Sequence, residues 1–288
     1  MLKHIIIYIL KILKKYKFRG RAKIVLFFAK ILGNTFEKFP LYIGDYKKPI
    51  YVNLKDNTGI AMFLNDGLPH EVELKQLIFK INSPELNFWD IGSNYGYYPW
   101  LFINELLFNS IYCFEPNPLL KAYLDLTFKS YSSKVSVFNY GLSYEKGEMP
   151  FYINKNKTDI GSFNLNEMST STFTKLVKVD KIDFFREKIG KPDVMKIDVE
   201  GFEYNVLRGY TDLNVDYPLI FMEWIPSLQT ISFELLKTLF DSSWFFFRIK
   251  KDGTLSQNIE ELGSDIIAIS KNNKNFLAYI NLLNIRLN

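Results

Sequence analysis

Phe88-Trp89-Asp90-Ile91-Gly92-Ser93-Asn94-Tyr95-Gly96 decides the fold. It reads as a buried strand that ends in an acid and runs into a loop carrying two glycines. Gly92 and Gly96 permit a tight turn and the close backbone approach that a bound cofactor needs. Twenty-five residues beyond Asp90, a second apolar run, Ser110 to Phe114, ends in Glu115-Pro116-Asn117-Pro118. In nucleotide-binding α/β folds, an acid at the tip of the second strand takes the ribose hydroxyls. The spacing here is Asp-x-Gly-x-x-x-Gly, not the dinucleotide pattern Gly-x-Gly-x-x-Gly, which points away from a pyrophosphate cradle. A third motif, Lys196-Ile197-Asp198-Val199-Glu200-Gly201-Phe202-Glu203, again puts acids just after an apolar run.

That glycine spacing points towards S-adenosylmethionine, and the three motifs together resemble the FkbM-type methyltransferases. These use S-adenosylmethionine and act largely on sugar and polyketide hydroxyls. The resemblance runs from about Gly67 to Trp224. Asp90 to Gly96, with Asn94 inside it, is similar to that family's cofactor loop. Phe114-Glu115-Pro116 resembles its ribose-binding corner, and Lys196 to Glu203 its most distinctive signature. Gly141-Leu142-Ser143 resembles the segment after the third strand that lies near the adenine. Gly67 to Glu71 is similar to a short Gly-x-x-x-Glu stretch whose acid lies near the donor. The resemblance implies a cofactor set of Glu71, Asp90, Gly92, Asn94, Gly96, Glu115, Pro116, Leu142 and Ser143.

Strands are expected at Asn87 to Ile91, Ser110 to Phe114, Val135 to Asn139, Val194 to Ile197 and Leu219 to Glu223. Helical stretches between them argue an α/β fold with a mostly parallel sheet. The resemblance narrows this to a Rossmann-like class I methyltransferase fold. Trp244 to Ile249 and Asp265 to Ile269, around Asp252-Gly253, read as a C-terminal antiparallel hairpin. Short strands are expected at Pro40 to Ile43, Ile50 to Asn53 and Ala61 to Leu64, the last behind an Asp56-Asn57-Thr58-Gly59 turn. A helix from Glu71 to Asn82 leads into the core. Residues 148–179, rich in Thr, Ser and Asn, read as an inserted hairpin placed to cover a substrate.

The chain has 288 residues, enough for one α/β domain with an appendage. Residues 39–288 are read as the catalytic domain and residues 1–38 as a basic, amphipathic helical arm. Of the 36 Lys and Arg residues, nine lie within residues 1–30, which contain no acid, leaving 27 against 31 Asp and Glu in the rest. The body is therefore mildly acidic and all of the excess positive charge sits on the arm. In residues 1–17, Leu2, Ile5, Ile6, Ile9, Ile12, Leu13 and Tyr16 share one helical face and five lysines the other. A second apolar helix follows from about Ala22 to Leu32. Both runs fall short of the ~20 residues that span a bilayer. Two readings of the arm stay open, a lid packed on the catalytic body and a surface lying on an anionic membrane.

A single cysteine, Cys113, excludes an intramolecular disulfide and fits a cytoplasmic setting, with the inner face of the membrane as a peripheral site. Two histidines make histidine-rich zinc chemistry implausible, and the acidic body excludes a nucleic-acid partner. Methylating a hydroxyl requires a base, or a metal that lowers its pKa. Ligands of open α/β sheets sit beyond the carboxyl ends of the strands. Asp198 and Glu200 are therefore the candidate catalytic residues, and Glu203 is expected to face the acceptor or begin a helix. Asp198 and Glu223 are candidate ligands for Mg²⁺ or Mn²⁺, the ions that hard oxygen donors select. Glu223 has an alternative reading as the ion-pair partner of Lys196 or Arg208. His70 is a weaker candidate base, and Tyr95, Tyr97, Tyr98 and Trp224 are candidate walls for a sugar or a sulfonium. The expected activity is O-methylation of a sugar in surface glycan or glycolipid synthesis. The alternatives are a polyketide, lipid or protein acceptor, or a module that binds the cofactor without catalysis.

Overall fold

The computed structural model describes residues 2–69, 72–81, 83–154, 160–164, 172–260 and 263–285, with the side chains of residues 2–7, 11, 32, 34 and 35 outside that description. Two helices, α1 (Leu2–Lys15) and α2 (Arg21–Leu32), precede a small hairpin of β1 (Phe39–Leu41) and β2 (Ile50–Val52). Then come α3 (Asn57–Asn65), α4 (Val72–Lys80), β3 (Asn87–Ile91), α5 (Tyr97–Asn104), β4 (Ser110–Phe114), α6 (Lys121–Phe128) and β5 (Val135–Phe138). A second unit of sheet contains β6 (Gly141–Leu142), β7 (Gly147–Asn154), β8 (Gly161–Ser162) and β9 (Thr172–Asp180). The chain continues through α7 (Ile182–Ile189), β10 (Val194–Ile197), α8 (Glu203–Arg208), α9 (Leu213–Asp216), β11 (Leu219–Glu223) and α10 (Phe233–Lys237). It closes with β12 (Trp244–Ile249), β13 (Leu255–Ser256), β14 (Asp265–Ser270) and α11 (Phe276–Leu282).

The central sheet runs β13-β12-β14-β11-β10-β3-β4-β5. From β11 to β5 every pairing is parallel, and β14 runs antiparallel to both of its neighbours. β14 is thus wedged between β11 and β12, and the Asp252-Gly253 turn joins β12 to the short β13. Strands buried on both faces read as continuous apolar runs, as Phe88, Trp89 and Ile91 do. The alternation of side chains across the sheet divides the core in two. Phe88, Ile111, Cys113, Val194 and Phe221 pack on the face that carries α3 to α6. Trp89, Phe114, Met195, Ile197, Ile220 and Met222 pack on the face that carries α7 and α8.

One expected strand is a helix. Ala61 to Leu64 belongs to α3, and the Asp56 to Gly59 segment begins that helix. Gly59, Ile60, Met62, Phe63 and Leu64 are buried, so α3 is enclosed on most sides and shows no clean helical period. The helix is also crowded: a Cβ on Gly59 would sit 2.1 Å from the Asn53 carbonyl oxygen. The polar insertion forms β7, β8 and β9, which join β6 in a four-stranded sheet in the order β6-β9-β7-β8. Residues 155–159 and 165–171 of its loops lie outside the described residues. The arm packs on the body through its inner face: Leu10 and Leu13 of α1 and Val25 and Ala29 of α2 are buried in the larger core cluster.

Candidate functional site

A cavity of about 270 Å³ opens at the carboxyl ends of β3, β4, β10 and β11. Its acids are Asp90, Glu115, Asp198, Glu200 and Glu223, and its only basic lining residue among those described is Lys196. Register explains part of this convergence. Asp90 pairs with Lys196 on one side and Cys113 on the other, so these side chains project from the same face of adjacent strands. The buried Cys113 thiol is pushed well above its ordinary pKa by burial and by the Asp90 charge, as befits an inert residue.

Glu115 follows the end of β4. One of its carboxylate oxygens accepts the Asn94 backbone N–H and the other the Asn117 N–H, each at 2.8 Å. An ionised carboxylate offers about four lone-pair positions, so each oxygen keeps acceptor capacity beyond its backbone bond. Burial lifts the pKa of Glu115 to about 7, against the two backbone bonds that hold it down. Asn139 Nδ2 donates to the Glu115 and Pro116 carbonyls at 2.7 and 3.2 Å, fixing the corner from the next strand.

The glycine loop is shaped mainly by its protein neighbours. Gly92 has φ +85°, and a Cβ there would stand 1.8 Å from the Asp198 carbonyl oxygen. The loop after β3 and the turn after β10 are therefore locked together, with Gly92 as the only residue type that fits. Gly96, at φ +77°, faces Phe128 and Leu124 of α6 and does not line the cavity. Asn94 takes a left-handed φ of 50°, and its Oδ1 accepts the Tyr95 N–H at 2.8 Å. This conformation aims the Asn94 N–H at Glu115.

Beyond β10, Asp198 Oδ2 receives the Lys196 ammonium at 2.8 Å, and that ammonium also lies 5.0 Å from the centre of the Tyr98 ring. Lys196 is thus an ion-pair partner of Asp198, while Arg208 lies over the Tyr144 and Tyr204 rings. Glu200 is exposed at the cavity wall with a left-handed φ of 52°, an uncommon setting for a side-chain-bearing residue. Glu203 begins α8 but turns away from the acceptor side. It is fully buried, and its Oε1 accepts the Val199 and Gly201 N–H groups at 3.2 and 3.3 Å while Oε2 accepts Gln229 Nε2 at 2.8 Å. This reach back to the preceding turn resembles a capping box and clamps the loop that presents Asp198 and Glu200. Burial raises Glu203 to about 7. Burial, and then the charges of Asp198, Glu200, Glu203 and Asp265, push Glu223 up to about 10, so it is a neutral acid at pH 7.

The cavity brings together Asp90, Gly92, Asn94, Glu115, Pro116, Asp198, Glu200 and Glu223. Leu142 and Ser143 are buried outside it, with the Ser143 N–H donating to the Asp180 carbonyl at 3.0 Å. Glu71 and His70 lie outside the described residues. Tyr95, Tyr97 and Tyr98 line the cavity; Trp224 packs against Phe233 instead. Thr58 and Met62 of α3 are lining residues that the sequence did not reveal, as are Asn117 and, from the insertion, Phe151, Gly161 and Phe163. Ser162 Oγ donates to the Glu200 carbonyl at 3.2 Å, tying the insertion to the acidic turn. Among the described residues no group of three or more His, Cys, Asp or Glu side chains is disposed to hold a metal ion. Asp198 is engaged by Lys196, and Asp198 with Glu223 would supply two carboxylates where such an ion takes about six or more oxygen ligands, so this pair alone does not fit Mg²⁺ or Mn²⁺.

The strand order, the antiparallel strand β14 inserted beside β11 and the acids at the tips of β3 and β4 define a class I methyltransferase fold. The chain belongs to the FkbM methyltransferase family: the sequence model of the "Methyltransferase FkbM domain" matches residues 90–250. The hexuronic acid methyltransferase AglP of Haloferax volcanii is 31% identical over 126 residues, which cover 43% of this chain and 49% of that protein. The match therefore spans about half the length of that curated relative. Among solved structures, the FkbM methyltransferase of Methylobacillus flagellatus aligns with a TM-score of 0.42 and 13% identity, over 64% of this chain and 44% of that one. A putative O-methyltransferase from Klebsiella pneumoniae aligns with a TM-score of 0.38 and 11% identity, over 69% and 80%.

Proposed function

We propose that the protein transfers a methyl group from S-adenosylmethionine to a sugar hydroxyl, in the synthesis of a surface glycan or glycolipid. The observation that carries this reading is Glu115, a buried carboxylate at the tip of the second parallel strand whose two oxygens are braced by backbone N–H groups and border the cavity. The bound cofactor would supply an electrophilic methyl on a positively charged sulfur. With Glu223 protonated, Asp90, Glu115, Asp198 and Glu200 are left facing one ammonium among the described lining residues, and this excess of acid favours such a cation. Glu115 takes the ribose hydroxyls, and Asp90 orders the glycine loop and meets the amino-acid end of the donor.

Asp198 and Glu200 serve the acceptor. Lys196 holds the Asp198 carboxylate in one orientation, and Glu200, at the open side, takes up the hydroxyl proton and passes it to solvent. Phe151 and Phe163 of the insertion form an apolar wall that keeps water from the reacting centre. No step is routed through a metal. The sugar class rests on AglP, whose name assigns it a hexuronic acid.

Mass spectrometry of surface glycans from cells with the active protein and with the Asp198→Asn variant tests the proposal. Loss of one methyl per acceptor residue in the variant is expected. Unchanged glycans, with the methyl appearing on lipid or protein, would refute the sugar acceptor.

A further inference from the structure

We infer that the outward faces of α1 and α2 form a docking surface for a lipid bilayer with anionic headgroups. The two helices expose the same pattern. On α1 and the residue just after it, the exposed residues Tyr8, Ile12, Lys15 and Tyr16 stand at i, i+4, i+7 and i+8. On α2 the exposed residues Lys23, Phe27, Lys30 and Ile31 repeat that spacing. At ~100° per residue each set forms one stripe of mixed rings, aliphatic carbons and ammonium groups. Tyr8 is 66% exposed and Phe27 59%, so both rings face away from the body, and on each helix the exposed apolar residues fall together in one stripe.

The anchoring of the arm uses other residues. Leu10, Leu13, Val25 and Ala29 face the core, Lys14 pairs with Asp66, and Arg21 Nη2 donates to Asn65 Oδ1 at 2.8 Å. The outward stripes are therefore left over once the helices have been fixed to the body. Their charge names the occupant. Residues 1–30 carry nine cations and no acid on a chain whose remainder is net acidic, so an anionic surface attracts this side selectively. Apolar rings placed among lysines match the boundary between headgroups and acyl chains, where rings enter and long basic side chains stay at headgroup level. Docking also has a consequence for the site. The arm contacts α3, and Thr58 and Met62 of that same helix line the cavity, so a bilayer held by α1 and α2 lies one helix away from the acceptor position.

The test is flotation of the full chain, without cofactor, on phosphatidylcholine vesicles with and without phosphatidylglycerol. Binding is expected only with phosphatidylglycerol and is expected to fall as salt rises. Lys23→Gln and Lys30→Gln should each weaken it ~fivefold. Phe27→Ser combined with Ile31→Ser should weaken it by about tenfold or more, because the buried rings and methyls supply the remaining affinity. These positions are exposed, and an unchanged thermal melt verifies that each variant is folded. Failure to float on anionic vesicles at low salt would overturn the inference. So would binding that a soluble polyanion abolishes equally well and that the Phe27/Ile31 variant leaves unchanged, since the surface would then be a simple charge patch. Neither outcome bears on methyl transfer, which the assay does not use.

Discussion

Substituting Glu115 by Gln isolates the ribose role because the shape is kept and only the charge and one acceptor are lost. In the native protein both oxygens accept a backbone N–H at 2.8 Å. A Gln amide answers one of them and sets its own NH₂ against the other, so one buried donor and one ribose hydroxyl lose their acceptor. Hydrogen bonds to charged groups contribute ~1.5–3 kcal/mol, so affinity for S-adenosylmethionine should drop by about tenfold to a hundredfold. Stability should change less, because relief from burying a carboxylate offsets the orphaned N–H. A second readout is pH. With its pKa near 7, Glu115 is mostly protonated at pH 6 and mostly ionised at pH 8. The hydroxyls and the cationic donor prefer the ionised form, so native affinity should rise about tenfold between those values. Glu223, at about 10, keeps its proton throughout this window and Glu203 does not line the cavity. Isothermal calorimetry at both pH values, on native protein and Glu115→Gln, reads the effect directly. A variant with native affinity, or one that keeps the native pH slope, would refute the assignment.

Gly92→Ala should destabilise the fold by at least ~1–3 kcal/mol, since its Cβ would collide with the Asp198 carbonyl oxygen in a left-handed conformation; a urea melt measures this. Stability should decline as pH rises from about 4.5 to 7, because Glu203 binds its proton more tightly folded than unfolded. The gap between 4.5 and about 7 corresponds to about 3 kcal/mol, and Glu203→Gln should make the decline shallower by about that amount, the rest coming from Glu115 and Glu223, whose pKa values are also raised. Glu200→Gln should retain the native melting temperature and donor affinity while losing most turnover; a matching loss of donor affinity would place Glu200 on the cofactor instead. Full activity in excess EDTA is expected from a donor set that does not fit a divalent ion, and a chelator-sensitive rate restored by Mg²⁺ would contradict that conclusion.

The five parallel strands were legible because each is a short, largely apolar run stopped by an acid or a loop, the central ones buried on both faces and β5, at the edge, only in part. Asp90 and Glu115 were legible for the same reason: the topology puts them where strands end. The helix α3 was not, since burial on nearly all sides erased its amphipathic period, and with it Thr58 and Met62 of the cavity wall were missed. Gly96 was expected to serve the ligand and instead admits α6, because a glycine records that something comes close without recording what. Glu203 illustrates the same limit for acids. Its place in the motif suggested the acceptor side, yet its side chain turns inward to hold three donors. The pairing of Lys196 with Asp198, two residues apart, depends on the strand ending between them, which no spacing rule reveals.

The proposed activity requires the donor to lie in the cavity with its ribose on Glu115 and its methyl-bearing sulfur towards Asp198 and Glu200. A crystal structure of the protein with S-adenosylhomocysteine tests this most directly. Both ribose hydroxyls are expected within hydrogen-bonding distance of the Glu115 carboxylate, with the amino-acid end beside Asp90. A product molecule bound elsewhere, or bound here with Glu115 facing no hydroxyl, would contradict it.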